Sequence, residues 1–182
     1  MCRTKRAEVT DVRLNGLGKI GYCAGMARWY CGVREHLIFT PHGMVADVVH
    51  VPGNRHDVQG LYALLRTNFR GRLFADNAYT PGAKLDKQLS AQEIFVVAQS
   101  RKDSRRPLPP RTRAFVHRQR SRVERRIGLF DRQFDAGRTL CRSERHYRTR
   151  SWFKVLAHNL SRYLNPKLHY SAEKMLHFRI AA

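Results

Sequence analysis

Two acidic residues far apart in the sequence, Asp76 and Glu124, are the side chains that best suit metal chemistry. Asp76 ends a short apolar run, Leu73–Ala75, and small or turn-forming residues follow it as far as Pro81. The run predicts a buried β-strand with a carboxylate at its C-terminal end. In open α/β sheets, ligands and metals usually bind at that end of the strands. The alternative is an acid that caps a helix or closes a turn.

Glu124 lies on the strongest predicted helix, 112–134. One narrow stripe of this helix is apolar and arginines fall roughly opposite: the stripe is Val116, Val123, Ile127, Phe130 and Phe134, and the arginines are Arg118, Arg122, Arg125 and Arg132. Glu124 falls between these faces, so its carboxylate can point into a cleft between helix and sheet. The alternative is a surface ion pair with Arg120, worth only ~0.3 kcal/mol. Asp131 and Asp135 lie about 10 Å or more further along the axis, too far to share one metal with Glu124.

The elements that would position these carboxylates form a mixed α/β pattern. Two apolar runs, 29–40 and 44–51, flank a Pro-His-Gly turn and predict an antiparallel hairpin. The pattern then predicts a helix over 57–69 capped by Asp57, the strand 72–76, a helix over 83–89 and a strand over 93–98. Strand, helix and strand in this order predict a parallel pair with a crossover.

The two ends of the chain give weaker patterns. Residues 1–28 show no sustained hydrophobic periodicity, which predicts a loop with at most a short helix. A helix over 150–164 is predicted to close the fold and to end at Asn165 and Pro166. Its apolar residues are Trp152, Phe153, Val155, Leu156, Leu160, Tyr163 and Leu164.

The charge of the chain points to a polyanionic partner. Its 182 residues carry 35 lysines and arginines against 14 acids, a formal net charge of +21. An excess of this size favours nucleic acid as the partner. A basic, proline-rich segment over 99–113 predicts an exposed loop. The candidate DNA-binding residues are Arg101, Lys102, Arg105 and Arg106 in this segment and Arg118, Arg122 and Arg125 on the helix.

Membrane and disulfide chemistry are not indicated. The apolar runs are too short to span a bilayer, and no apolar segment follows the basic residues at the start of the chain. We therefore expect a cytoplasmic, nucleoid-associated protein with no membrane partner. The four cysteines are Cys2, Cys23, Cys31 and Cys141, whose spacing fits no standard zinc module even with His36 and His42. Free thiols are the expectation.

Three short motifs occur in an order that a known family shares. Asp76 is followed by two residues and then Tyr79. Glu124 lies on an Arg-rich helix with aromatic residues behind it. The segment 43–57 runs from the hairpin to a His-Asp pair at the start of the next helix. Together they resemble the DDE transposases of insertion sequences. The resemblance covers residues 1–165, as a partial transposase DDE catalytic domain, and leaves 166–182 as a C-terminal tail.

The resemblance implies a ribonuclease H-like mixed sheet with flanking helices. It also implies metal-dependent DNA strand cleavage and strand transfer, with Asp76 and Glu124 as catalytic residues and as ligands of Mg²⁺ or Mn²⁺. The implied partners are DNA, as insertion-sequence ends and target, and a second copy in a homodimer.

The family uses three acids, and the first Asp has no counterpart in this sequence. The segment Cys2–Arg6 resembles the end of the family's segment that follows this Asp, so we expect a truncated chain that lacks the first strand. Two bridged metal ions need that Asp, and we expect this chain to be inactive as it stands. Rescue by Asp11, Asp47 or Asp57 is not expected. The alternatives are a non-catalytic basic nucleic-acid-binding remnant and a ribonuclease H-like nuclease unrelated to transposition.

Overall fold

The structure is a computed structural model that describes residues 17–23, 27–99, 108–134, 141, 143–169 and 171. These residues form a mixed α/β fold with one antiparallel and one parallel sheet. They group into two compact units. One unit contains the described residues up to Gly53 and from Arg126 onward, and the other contains Asn54–Arg125. Each unit contains one of the two sheets.

The first unit is built on a three-stranded antiparallel sheet with the order β1-β2-β3. Its strands are β1, Lys19–Cys23; β2, Arg28–Phe39; and β3, Val45–Pro52. The predicted hairpin of β2 and β3 is confirmed. β1 corrects the prediction of loop or short helix, because Ile20 and Tyr22 have the side chains that favour a pleated strand and pair with β2. Residues 1–16 lie outside the described residues.

The end of β3 lies so close to β1 and β2 that two positions accept only glycine. A Cβ atom at Gly21 would overlap the carbonyl oxygen of Gly53, and one at Gly53 would overlap that of Gly32. The Tyr30 hydroxyl donates a hydrogen bond to the Gly53 carbonyl at 2.6 Å, and Arg34 Nε donates to the same hydroxyl at 2.7 Å. The end of the hairpin at Pro52 and Gly53 is therefore fixed by close backbone contact.

Two helices pack on this sheet: α3, Pro110–Phe134, of which the part from Arg126 belongs to this unit, and α4, Glu144–Lys167. One hydrophobic cluster joins the sheet to both helices and contains Val45, Val48, Phe130 and Val155, with Leu37, Phe39 and Phe134 against it. A second cluster contains Leu17, Val33 and Tyr147, with Cys141 against it. Burial of these apolar side chains is the main stabilising contribution in the unit.

Polar side chains of the helices fix the turn between β2 and β3. His158 Nε2 lies 3.0 Å from the Gly43 carbonyl oxygen. The Asn159 side chain accepts from the Val45 N–H at 2.7 Å and donates to the Val45 carbonyl at 2.9 Å. Arg126 and Arg162 donate to the carbonyl oxygens of Thr40, Pro41 and His42. The turn is thus held through its backbone.

The helix α4 corrects the predicted 150–164 in two respects. It begins earlier, because the Ser143 hydroxyl caps it by accepting from His146 N, and it continues to Lys167 with Pro166 inside its last turn. A proline there removes only one hydrogen bond near a frayed end, so it does not stop the helix. Of the apolar residues that the sequence places on this helix, Val155 is buried, whereas most of the others are exposed: Trp152, Phe153, Leu156, Leu160 and Tyr163. The buried residues are Tyr147, Ser151, Val155, His158 and Asn165.

The second unit contains a parallel pair of strands joined by a helix. Its elements are α1, Gln59–Leu64; β4, Gly71–Ala75; a 3₁₀ helix, Asn77–Tyr79; α2, Ala83–Ala91; and β5, Ile94–Ala98. β4 and β5 pair in parallel, which confirms the predicted crossover. The predicted helix over 57–69 is shorter, and Asp57 does not cap it, because Val58 occupies the N-cap without a side-chain hydrogen bond.

The basic segment before α3 is only partly described. The helix begins at Pro110, a residue that suits the first helical position, so Arg111 and Arg113 belong to the helix and not to the predicted loop. Arg101, Lys102, Arg105 and Arg106 lie outside the described residues. On the predicted stripe of α3, Val116 and Phe130 are buried, whereas Ile127 is 44% exposed.

No helix among the described residues is long and apolar enough to cross a membrane. Among the described residues, Cys23, Cys31 and Cys141 form no disulfide with one another. Across the described part of the chain, no group of three or more His, Cys, Asp or Glu side chains could hold a metal ion.

Candidate functional site

Asp76 lies directly after the last residue of β4. Its backbone is still extended, with φ −77° and ψ 178°, so the carboxylate continues the strand direction before the chain turns. One carboxylate oxygen, Oδ1, accepts a hydrogen bond from Ala78 N at 2.8 Å and caps the 3₁₀ helix. Among the described residues, no partner binds the second oxygen. The side chain is half-buried, so it has both a structural role and an oxygen left for a ligand.

Gln99 occupies the equivalent position on the neighbouring strand. Ala75 and Ala98 are partners in the parallel register, and Gln99 N donates to the Ala75 carbonyl at 3.0 Å. The residues that follow β4 and β5 therefore lie side by side at the C-terminal edge of the sheet. A side chain bound to Gln99 is held close to the end of β4.

The first half of α3 packs on this parallel pair. The Phe115 ring meets Phe74 of β4 edge to face, with ring centroids 5.1 Å apart, and Val116 beside it is buried. Further along the helix, Arg120 Nη1 donates to Gln99 Oε1 at 2.7 Å. These contacts place this part of α3 near the end of the sheet where Asp76 lies.

Glu124 lies one turn after Arg120 and is paired with it. Arg120 Nε donates to Glu124 Oε1 at 2.6 Å, and the Glu124 side chain is 58% exposed. The expectation that its carboxylate points into a cleft is therefore not met, and the ion pair that was the alternative is formed. Three successive hydrogen bonds nevertheless lead from Glu124 through Arg120 and Gln99 to the end of β4. The last of them reaches the carbonyl of Ala75, the residue before Asp76.

A comparison with protein-family models identifies the chain. Residues 7–160 match the model of the transposase DDE domain. The chain belongs to the transposase DDE domain family. No curated protein and no solved structure matches it.

The family acts on DNA, and the transposase domain presents a basic helix face that suits DNA. Arg118, Arg122 and Arg125 are exposed on the side of α3 that lies opposite the buried Val116. Their spacing of three or four residues places them on one side of the helix. Of the predicted DNA-binding residues, these three are the ones that the structure describes.

The two predicted acids, Asp76 and Glu124, carry the type of oxygen donor that hard divalent cations take. Carboxylate oxygens suit Mg²⁺, which keeps several waters and needs only one or two carboxylates. Asp76 has an oxygen without a described partner, whereas one oxygen of Glu124 binds Arg120. Of the acids considered as substitutes, Asp47 accepts a hydrogen bond from the Val48 N–H on β3, and Asp11 lies outside the described residues.

Sequence reasoning missed Gln99 and the bridging role of Arg120. The available signal was topological: Gln99 directly follows the strand that is parallel to β4, so it must lie beside Asp76. Arg120 entered the prediction only as a surface partner of Glu124. Its second hydrogen bond, to a residue 21 positions away, has no sequence pattern.

Proposed function

We propose that this chain is the DDE domain of a transposase whose reaction is metal-dependent DNA strand cleavage and strand transfer in the transposition of an insertion sequence. Because the family's first Asp has no counterpart here, the activity proposed for this chain is limited to plasmid nicking with a single cation, and the full two-ion reaction is not expected. Asp76 and Glu124 are the proposed carboxylate ligands of Mg²⁺ or Mn²⁺. The observation that carries the proposal is the hydrogen-bonded path from Glu124 through Arg120 and Gln99 to the end of β4. This path links two acids that are far apart in the sequence to one edge of the sheet in the second unit.

The order of elements supports a ribonuclease H-like arrangement for the domain. An antiparallel three-stranded sheet comes first in the chain, a parallel strand–helix–strand pair follows, and a long helix then carries the Glu. In open α/β sheets, ligands bind beyond the carboxyl ends of the strands, which is where Asp76 lies. The family match agrees with this arrangement.

Each residue of the site has a distinct proposed role. Asp76 and Glu124 hold the cation, and Gln99 fixes Arg120. Arg120 is a positioning residue, because it holds Glu124 at the end of the sheet when no cation is bound. A bound Mg²⁺ supplies Lewis acidity toward a phosphodiester and lowers the pKa of a bound water. Arg118, Arg122 and Arg125 bind backbone phosphates and hold the DNA against the site.

The first test is strand cleavage by the Glu124→Gln variant. We expect a loss of plasmid nicking by about 100-fold or more, since a catalytic metal is worth several kcal/mol. The measurement is the initial rate of nicking of a supercoiled plasmid in Mg²⁺ and in Mn²⁺. The fold should tolerate the change, because an exposed ion pair contributes little stability.

Glu93→Gln is the matched control, because Glu93 is also an exposed glutamate of the second unit, with Arg70 3.9 Å away. Its nicking rate should equal that of the wild type. Equal rates for Glu124→Gln and wild type would refute the role of Glu124. A wild-type protein that binds DNA and never nicks it would favour the alternative of a non-catalytic nucleic-acid-binding protein.

The basic face of α3 makes a prediction about salt dependence. Changing Arg118, Arg122 and Arg125 together to Gln should reduce the slope of log K against log salt by about 2.7, because each arginine that neutralises a phosphate contributes ~0.9 to the slope. Fluorescence anisotropy with a labelled duplex, at several NaCl concentrations, measures the slope.

The control variant removes the same charge from other exposed positions of the same unit, as Arg55, Arg66 and Arg72 to Gln. If both triple variants reduce the slope equally, binding follows total charge and not this face of α3.

A further inference from the structure

The helix α4 carries a line of exposed side chains on the face opposite the one that is buried in the first unit. At about 100° per residue, five of them fall within an arc of roughly 60°: Arg145, Trp152, Leu156, Tyr163 and Lys167. Trp152 is 48% exposed, Leu156 60% and Tyr163 55%, and the cations at the two ends of the line are exposed as well. We call these five residues the α4 outer stripe.

The charges on α4 suit an anion at this stripe. The helix carries six lysines and arginines against one acid, Glu144, which pairs with Arg148 at 2.8 Å. The stripe itself contains no acid, and its two cations lie about 33 Å apart along the axis, at about 1.5 Å per residue. An anionic chain laid along the stripe would therefore meet a positive charge at each end and aromatic and apolar side chains between them.

Tyr163 and Lys167 form a close pair at one end of the stripe. Lys167 Nζ donates to the Tyr163 hydroxyl at 2.6 Å and lies 3.9 Å from the centroid of its ring. An ammonium group has three N–H donors, so two remain for a phosphate oxygen. Tyr163 is still more than half exposed. The pair thus offers a cation for a phosphate and an aromatic surface for a base within about one helical turn.

Exposed aromatic rings favour a nucleic acid whose bases are unpaired. In a duplex the bases stack on one another, and a protein meets phosphates, sugars and the base edges in the grooves. In a single strand the faces of the bases are accessible, and they stack on aromatic side chains while cations bind the backbone. The outer stripe combines both kinds of side chain, whereas the basic face of α3 was assigned from arginines alone.

We propose that the α4 outer stripe binds single-stranded DNA, with one base stacked on Trp152, another on Tyr163 and a phosphate bound to Lys167. The inference rests on the proposed function for the source of the strand, because a strand that has been cut can unpair near its new end. Binding itself needs no cleavage, so the two proposals can fail separately.

Fluorescence anisotropy with a labelled oligothymidylate of about 20 nucleotides tests the proposal, with a duplex of the same length as the comparison. EDTA in the buffer removes divalent cations, so the result does not depend on nicking. Trp152→Ala and Tyr163→Ala should each weaken single-strand binding by about fivefold or more, which is the lower end of the cost of a lost stacking contact. Duplex affinity should change little. Tyr62→Ala is the matched control, because Tyr62 is a 43% exposed tyrosine on α1.

Two further changes at Trp152 separate base stacking from apolar contact. Trp152→Phe keeps an aromatic ring and should retain most of the single-strand affinity, whereas Trp152→Leu keeps only apolar character and should lose as much as Trp152→Ala. The phosphate contact has its own readout. Lys167→Gln should reduce the slope of log K against log salt for the single strand by ~0.7. Lys84→Gln, which changes an exposed lysine of α2, should leave the slope unchanged.

All the altered side chains are exposed, so the variants should keep their fold, which circular dichroism verifies. Trp152→Leu and Tyr163→Ala variants that bind the oligothymidylate as tightly as the wild type would overturn the proposal, and so would an equal loss of affinity for single strand and duplex. It would also be overturned if the variants changed only the association of two copies in sedimentation equilibrium, or only the binding of phosphatidylserine vesicles.

Discussion

Replacing Asp76 with Asn should weaken Mn²⁺ binding by at least about tenfold, since even residues one shell away from a metal typically cost 10–100-fold. The change removes the charge of one of the two proposed carboxylate ligands. The affinity is measured from the loss of the free Mn²⁺ signal in electron paramagnetic resonance as protein is added. Strand cleavage should be lost in the same variant.

The choice of Asn separates metal binding from folding. Asp76 Oδ1 accepts from Ala78 N, and an Asn side chain accepts at an N-cap position about as well as Asp does. The turn after β4 therefore keeps its cap in Asp76→Asn, whereas Asp76→Ala would lose it and destabilise the protein by ~1 kcal/mol. A loss of metal affinity in the Asn variant cannot then be attributed to a disordered turn.

Asp86→Asn is the matched control, because Asp86 is an exposed aspartate in the first turn of α2, in the same unit. It should bind Mn²⁺ with wild-type affinity. Equal affinities of the wild type, Asp76→Asn and Asp86→Asn would show that the ion binds elsewhere, and the acid assignment would fail.

The parallel pair of the second unit could be predicted because each of its signals is local. The strands are short apolar runs, and Leu85 and Leu89 lie one turn apart and are both buried on α2. The position of Asp76 at the end of β4 follows from the same run. Local patterns of this kind need no knowledge of the rest of the fold.

The orientation of Glu124 could not be predicted, because a distant residue determines it. Helical periodicity places Glu124 between the buried and the basic faces and gives two options for its side chain. Arg120 is held by Gln99, a residue of the sheet edge, and the held guanidinium then binds Glu124. Whether the Glu124 side chain points into a cleft or pairs with Arg120 thus depends on the hydrogen bond between Arg120 and Gln99, which are distant in the sequence.

The buried face of α4 could not be predicted from the sequence for a related reason. The helix has two apolar faces, and hydrophobicity alone favours the one with Phe153, Leu156 and Leu160. The structure buries the other, where His158 lies against the Gly43 carbonyl and Asn159 pairs with the Val45 backbone. The His158 and Asn159 side chains provide hydrogen-bond partners for backbone groups of the turn. Because buried polar groups need such partners, these bonds determine which face of α4 packs against the sheet.

The second large effect concerns Glu35, which lies on β2 and pairs with His50 on β3. Glu35 Oε1 lies 3.2 Å from His50 Nε2, and the two side chains are 13% and 2% exposed. Burial acts to raise the pKa of Glu35, but hydrogen bonding with His50, the Ser151 hydroxyl and the charge of the His50 ring together outweigh burial and lower the pKa from 4.5 to about 2. The ionised carboxylate is thus favoured in the folded protein more than in the unfolded chain.

The sign of the pH dependence follows from this lowered pKa. Stability from Glu35 is fully present above the unfolded pKa of 4.5 and is lost as the pH falls toward about 2. At about 1.4 kcal/mol for each pH unit between the two pKa values, the loss is about 3 kcal/mol. Urea unfolding followed by circular dichroism, in roughly one-unit steps from about pH 5 to about pH 2, measures this loss.

The Glu35→Gln variant isolates this residue from the other acids, because an amide can still accept from His50 but does not titrate. Its free energy of unfolding should fall less than that of the wild type over the same pH range, by about 3 kcal/mol. Glu144→Gln is the control, since Glu144 forms a surface pair with Arg148 at 2.8 Å, and such pairs contribute little. If Glu35→Gln and the wild type lose stability in parallel, the buried pair between β2 and β3 is not the acid-sensitive element of the first unit.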